Sequence, residues 1–239
     1  MDDIRINKYL AMSGVCSRRD ADVYIKNKRV MINNRFAKIG DKISENDKVY
    51  VDGNPVKASA RKVVLAFYKP VGVVVTEKDE HAEVKISDLI DYPLRLTYAG
   101  RLDKDSEGLI LLTNDGDFIN ASMRGSNEHE KQYIVKLKKP VTDEVVDKLK
   151  KGVYLKTLNV RTKPCKMKRI DDYTVDVTLR QGLNRQIRRM FESTGNYVTY
   201  LKRVRVLNIK IGSLSPGEYR EIEGKELETL YKEAYKVKK

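Results

Sequence analysis

Gly100-Arg101-Leu102-Asp103-Lys104-Asp105-Ser106-Glu107-Gly108-Leu109-Ile110-Leu111-Leu112-Thr113-Asn114-Asp115-Gly116-Asp117 sets an acid-rich loop directly against a strand-like apolar run. These carboxylates sit in a basic chain. Its 239 residues carry 48 Lys and Arg against 34 Asp and Glu, a formal charge of +14. Position separates the five acids. Asp103 follows the apolar Leu102 between Arg101 and Lys104, cations that keep a carboxylate ionised and able to act as nucleophile or base. Asp105 and Glu107 read as solvated loop charges. Asp115-Gly116 reads as a turn, and Asp117 as the start of a short helix over 117–124.

Outside the loop, the charge balance favours a polyanion, either nucleic acid or an anionic membrane surface. No apolar run approaches the roughly 18 residues of a bilayer span, and Met1-Asp2-Asp3-Ile4-Arg5 lacks a secretory layout. Nucleic acid is therefore the expected partner and the cytoplasm the expected compartment. Cys16 and Cys165 are the only cysteines, so neither a disulfide framework nor a cysteine zinc site is expected. His81 and His129 are too few for a histidine metal site and read as surface or loop residues. With no G-x-G-x-x-G and no Walker-type loop, no nucleotide cofactor is expected.

The polar, turn-rich stretch Asp52–Lys62 gives way to apolar Val63-Val64-Leu65-Ala66-Phe67. This places a domain with its linker at 1–60 and a second domain at 61–239. In the first, a helix over 5–12 ends at Gly14, and Ser17-Arg18-Arg19-Asp20 has capping-box spacing for a second helix. Strands follow at Val30–Asn34 and Lys48–Gly53. Arg5, Lys8, Arg18, Arg19, Lys26, Lys28 and Arg29 crowd the helical half, as a phosphate-tracking face requires.

In the second domain, Val63–Tyr68, Gly108–Thr113, Gln132–Lys138, Thr174–Leu179 and Val206–Ile211 read as strands, and Leu201–Arg205 as a basic strand. Asp143–Lys151, Asn184–Thr194 and Gly224–Tyr235 read as helices. Strands outnumber helices without a βαβ rhythm, which predicts an α+β fold with a mainly antiparallel mixed sheet and flanking helices. In Gln181–Phe191, helical spacing puts Arg185, Arg188 and Arg189 on one face and Ile187, Met190 and Phe191 on the other. Asn184 fits the cap and Gly195 the end. Arg188 borders the apolar face, where a half-buried arginine pairs with a carboxylate. Tyr133 starts a strand, as a plain β-former or as a ring that stacks on an extruded base. Tyr68-Lys69-Pro70-Val71-Gly72 runs from a strand into a rigid turn.

Arg5-Ile-Asn-Lys-Tyr-Leu-Ala11, Gly14-Val-Cys-Ser-Arg-Arg19, Ala21-Asp22 and Val30-Met-Ile-Asn33 resemble the S4 RNA-binding domain. Asn27-Lys28-Arg29 departs from it where that family carries a glycine, and Asn27 is the residue expected to take positive φ. Lys69–Gly72, Gly100–Asp103 through Asn114–Asp117, Lys131–Tyr133 and Gly182–Met190, in that order, resemble the RsuA/RluB/RluF-type pseudouridine synthases. Tyr98-Ala99 replaces a proline-containing dipeptide. Asn127–Lys131 and Cys165–Lys168 lean toward the RluF branch.

The resemblance implies cofactor-free isomerisation of a uridine after base flipping, in 23S ribosomal RNA and also in tyrosine transfer RNA, by a chain acting as a monomer. It gives catalytic roles to Asp103, to Tyr133 against the base and to Arg188 as ion-pair partner of Asp103. Arg101 matches the residue that enters the RNA stack, and Lys69, Arg185 and Arg189 are expected to meet RNA. A non-catalytic S4 RNA-binding protein would need cations but no retained carboxylate. An S4-linked methyltransferase would need a cofactor loop.

Overall fold

A computed structural model describes residues 3–57, 61–76, 83–123 and 128–236. The expected boundary at residue 60, His81, Arg124 and Asn127 fall outside the described residues. Two compact units form. One holds the chain up to Val63 with Tyr92–Thr97 and Asn114–Gly116; the other holds Val64–Asp91, Tyr98–Thr113 and the chain from Asp117 on.

The first unit runs β1 (Ile4–Arg5), α1 (Ile6–Met12), α2 (Arg18–Lys26), β2 (Val30–Ile32), β3 (Arg35–Phe36), β4 (Lys42–Ile43), β5 (Val49–Val51) and β6 (Asn54–Val56). β1 pairs with β4, and an antiparallel sheet is ordered β3-β2-β5-β6. Ile6, Leu10, Ala21, Ile25, Val30 and Val49 share one core. α1 ends as expected, with Gly14 at φ +77°. The Val15 N–H donates to the Leu10 carbonyl at 3.1 Å and the Gly14 N–H to that of Ala11 at 3.2 Å. At the start of α2, Ser17 Oγ accepts from the Asp20 N–H at 3.2 Å and its hydroxyl donates to the Asp20 carboxylate at 2.6 Å.

The turn after α2 differs from expectation. Asn27 keeps φ −84°, and Lys28 takes the left-handed position at φ +55°. A residue there needs only an exposed side chain that clears the backbone, and Lys28 is exposed. Asp115, expected simply as a turn residue, is 3% exposed and ion-paired with Lys62 at 2.9 Å.

The second unit carries β7 (Val64–Lys69), β8 (Thr97–Ala99), β9 (Glu107–Thr113), α3 (Gly116–Met123), β10 (Lys131–Leu137), α4 (Asp143–Lys150), β11 (Tyr154–Leu155), β12 (Val160–Arg161) and β13 (Lys166–Arg169). It continues with β14 (Thr174–Leu179), α5 (Gln186–Glu192), β15 (Val198–Val206), β16 (Ile209–Lys210), β17 (Tyr219–Glu221) and α6 (Gly224–Ala234). The main sheet is ordered β13-β14-β10-β15-β9-β7-β17, with β8 on β9 and β16 on β15. Along the main order and at β16 the pairs are antiparallel except β15 with β9, so the fold is α+β with a mixed sheet. Every residue of β7 is buried, which explains the apolar run up to Phe67. The expected strand over 206–211 is instead the end of β15, a two-residue turn at Leu207-Asn208 and β16.

A bulge in β15 and a glycine in β9 shape the site. Gln132 faces Arg205 but Tyr133 faces Arg203, so Val204 is an extra residue on β15. Such a bulge breaks the two-residue alternation and sends Arg203 and Arg205 to opposite faces. On its other side Arg203 pairs with Gly108, where an added Cβ would lie 2.3 Å from the Arg203 carbonyl oxygen. At φ +109°, Gly108 lets β9 and β15 approach that closely.

Candidate active site

A cleft of about 520 Å³ opens in the second unit where the loop before β9 meets β10, β15 and the approach to α5. Asp103, Arg101, Tyr133, Arg185, Lys131 and Arg203 all line it. The sheet explains the grouping. Lys131 and Tyr133 are two residues apart on β10 and share a face, and Arg203 lies across from Tyr133.

The loop carrying Asp103 is gripped by its backbone. Lys69 Nζ donates to the Ser106 and Pro70 carbonyls, each at 2.7 Å. Arg188 Nη2 donates to the Asp105 carbonyl at 2.9 Å and to Ser106 Oγ at 3.3 Å. Arg203 donates through Nε to the Leu109 carbonyl at 2.6 Å and through Nη1 to that of Arg101 at 3.3 Å. The loop's own turn closes with the Ser106 N–H on the Asp103 carbonyl at 3.1 Å. Asp103 keeps a side chain that is 35% exposed, with Arg185 Nη1 at 3.7 Å from its carboxylate. It is an ionisable oxygen on a fixed backbone, open to a ligand.

Several expectations change. Lys69 was expected to meet RNA but is fully buried, and its ammonium is held by carbonyls of its own chain. Burial pulls its pKa down to about 8 against the opposing pull of Asp105, Asp103 and Glu107. Arg188 is half-buried as expected, yet its carboxylate neighbour is Asp105, with Nε 3.4 Å from Oδ2. Arg185 makes the two-pronged pair with Asp105, at 3.1 and 2.8 Å. Burial raises the Asp105 pKa, but the Arg185 hydrogen bonds and the Arg188 charge outweigh it and hold the carboxyl below its ordinary range.

Asp105 is thus an anchor rather than a solvated charge, and so is Glu107. The Glu107 carboxylate accepts from the Tyr68 and Tyr200 hydroxyls at 2.5 and 2.6 Å. Burial first, then that carboxylate, pushes Tyr200 up to about 12.

Asn184 does not cap α5. Arg185 stands at the N-cap with φ +49°, and the Asn184 carbonyl accepts from Arg189 Nε at 3.1 Å. Arg189, expected on RNA, also donates to Thr157 Oγ1. Gly195 does close the helix end, at φ +75°. His129, read as a surface or loop residue, does lie in a loop but is buried on the cleft wall, with Nε2 on the Ala121 carbonyl at 3.0 Å. Of the basic strand, Arg203 lines the cleft, Lys202 lies over the Tyr68 ring at 4.6 Å, and Arg205 pairs with Glu130 at 3.0 Å.

Period-two alternation from Tyr133 could have found Lys131. The bulge that turns Arg203 inward leaves no such pattern. In the first unit Arg5, Arg18, Arg19 and Lys28 are exposed, whereas Arg29 is engaged by Asp52 and lies over the Tyr24 ring at 4.0 Å. Lys8 is partly buried on α1.

Comparisons with known proteins agree with this geometry. The family model described as RNA pseudouridylate synthase matches residues 63–193, and that of the S4 domain matches residues 4–49. The chain is 43% identical over 231 residues to the dual-specificity RNA pseudouridine synthase RluF of Escherichia coli O6:H1, covering 96% of this chain and 79% of the relative. It is 34% identical to the ribosomal large subunit pseudouridine synthase B of Bacillus subtilis, covering 95% of each. A crystal structure of a pseudouridylate synthase superposes with a TM-score of 0.70 at 32% identity, over 95% of this chain and 99% of that one. Among the described residues no helix is long and apolar enough to cross a membrane. With that cleft and these relatives, the chain belongs to the RNA pseudouridine synthases, RNA-binding enzymes that isomerise uridine, and carries an S4 domain ahead of the catalytic part.

Proposed function

We propose that this enzyme acts as a monomer on a uridine of 23S ribosomal RNA, and also on tyrosine transfer RNA, with Asp103 as its essential group. The likeness to RluF-type chains supports the choice of RNA. One observation carries the site: the Asp103 carboxylate is open to the cleft while the backbone around it is gripped by three buried or half-buried cations. The target base leaves its stack, which costs a few kcal/mol that ring stacking and cationic contacts offset. Arg101, exposed at the cleft, fills the vacated place, and Tyr133 packs on the base. Asp103 then acts on the sugar, by attacking C1′ or by drawing the C2′ proton on a glycal route. Arg185 and Arg188 act through Asp105 to fix the loop.

The test is tritium release from 5-tritiated uridine in 23S ribosomal RNA and in tyrosine transfer RNA, without added cofactor. Turnover by the wild type and none by Asp103→Asn, with RNA binding kept, is expected. Full activity in that variant would remove the mechanism. Turnover on neither RNA would remove the substrate choice.

A further inference from the structure

Two cations in the cleft wall face no carboxylate among the described residues. Arg203 is 3% exposed and uses Nε and Nη1 on loop carbonyls, while its Nη2 is buried without an acceptor. Lys131 Nζ has the His129 carbonyl at 3.4 Å. Burial and the Arg203 charge both pull the Lys131 ammonium down, to about 8. Elsewhere in this unit Arg185 and Arg188 face Asp105, and Arg205 faces Glu130. Two like charges held together in a half-buried cleft, one with an open pair of N–H bonds, suit a visitor that brings negative charge.

We infer that Lys131 and Arg203 form a subsite for the uracil base in its anionic form, between its detachment from the sugar and its reattachment. This rests on the isomerisation at Asp103 proposed above. When N1–C1′ breaks, the bonding pair leaves with N1, and uracil becomes a monoanion whose charge spreads to O2 and O4. C1′ is completed by a bond from the Asp103 carboxylate or, on the glycal route, by the pair left when the C2′ proton departs. Rebonding uses the anion's electrons to form C5–C1′ and reverses whichever step completed C1′. The C5 proton passes to a base and N1 takes one up, so atoms and charge balance.

Substrate and product bases are neutral, so cations here favour the charged intermediate over either of them. The placement fits. Arg203 lies across from Tyr133, Lys131 shares its face, and Asp103 lines the same cleft. Exposed Lys104 remains for the phosphates, and Arg101 for the place the base leaves.

The experiment is single-turnover conversion, by the full chain, of an RNA that the wild type modifies. Lys131→Gln should lower the rate at saturating enzyme by roughly 10²-fold, the usual loss for one such donor, with RNA affinity and its salt slope unchanged. A 5-fluorouridine at the target, whose detached anion is more stable, should narrow that deficit, read as loss of the N-linked nucleoside after digestion. An unchanged rate overturns the subsite. A loss of affinity with a shallower salt slope overturns it in favour of a backbone phosphate. A deficit untouched by fluorine overturns it in favour of a structural role.

Should Lys131→Gln misfold, Lys131→Arg decides. The wild-type kcat/KM should fall as pH rises through about 8, with Arg203 of β15 the charged group acting on Lys131, and the arginine variant should hold its rate to higher pH. Matching profiles overturn the subsite. A wild type that converts no uridine in any RNA fails the underlying reading instead, before any variant is made.

Discussion

The two units use the same residue types in opposite ways. In the S4 unit Arg18, Arg19 and Lys28 stand exposed on the first turn of α2 and in the turn that follows it. In the catalytic unit Lys69 and Arg203 are buried and Arg188 is half-buried, all three donating to carbonyls of the loop that carries Asp103. Exposed cations follow a phosphate backbone and answer to salt, whereas buried ones fix geometry and answer to packing. A charge of +14 therefore describes two different things at once.

The sharpest way to break that contrast is at Gly108. Gly108→Ala drives a Cβ into the Arg203 backbone at a left-handed position, so a loss of about 4 kcal/mol or more in stability is expected, with the site lost too. Denaturant unfolding measures it, and a soluble variant of wild-type stability would remove the close approach of β9 and β15. Next comes Lys69→Met, expected to lose roughly 2–4 kcal/mol by leaving two carbonyls without a donor, while RNA affinity per folded molecule holds. Weaker RNA binding at full stability would return Lys69 to the RNA-facing role.

A pH series sharpens the same point. Lys69 has its folded pKa pulled down to about 8, below the ordinary 10.5, so the unfolded chain binds more protons between those values. Wild-type stability relative to Lys69→Met should rise with pH across that window, by at most about 1.4 kcal/mol per pH unit. A flat difference would mean Lys69 is solvated. The smallest effect belongs to the S4 unit. Arg18→Ala with Arg19→Ala should leave the melting temperature alone and lower the salt slope of RNA binding by roughly 0.9 per lost duplex phosphate contact. An unchanged slope would place both arginines away from RNA.

Much of this was legible in the sequence. The order of motifs marked the fold, and Asp103, Arg101 and Tyr133 do meet in one cleft. What the sequence hid follows from how the loop is held. Lys69, Arg188 and Arg203 bind backbone oxygens, which every residue type carries, so no side-chain pattern announces them. Asp105 and Glu107 looked solvated because their partners, Arg185 and Tyr200, lie far along the chain.

Two backbone roles fall one residue later than expected. Asn27 was expected to be left-handed and Asn184 to cap α5, but the following residues, Lys28 and Arg185, take those places, both with positive φ. The extent of β15 escaped because its bulge breaks the alternation by which a strand is read.

The grip on backbone oxygens also separates what can drift from what cannot. Lys104 is exposed on a loop whose shape is set behind it, so its side chain is free to change without loosening Asp103. One chassis can in this way be refitted for different RNAs by exchanging its outward trim, while the carboxylate stays where the chemistry needs it.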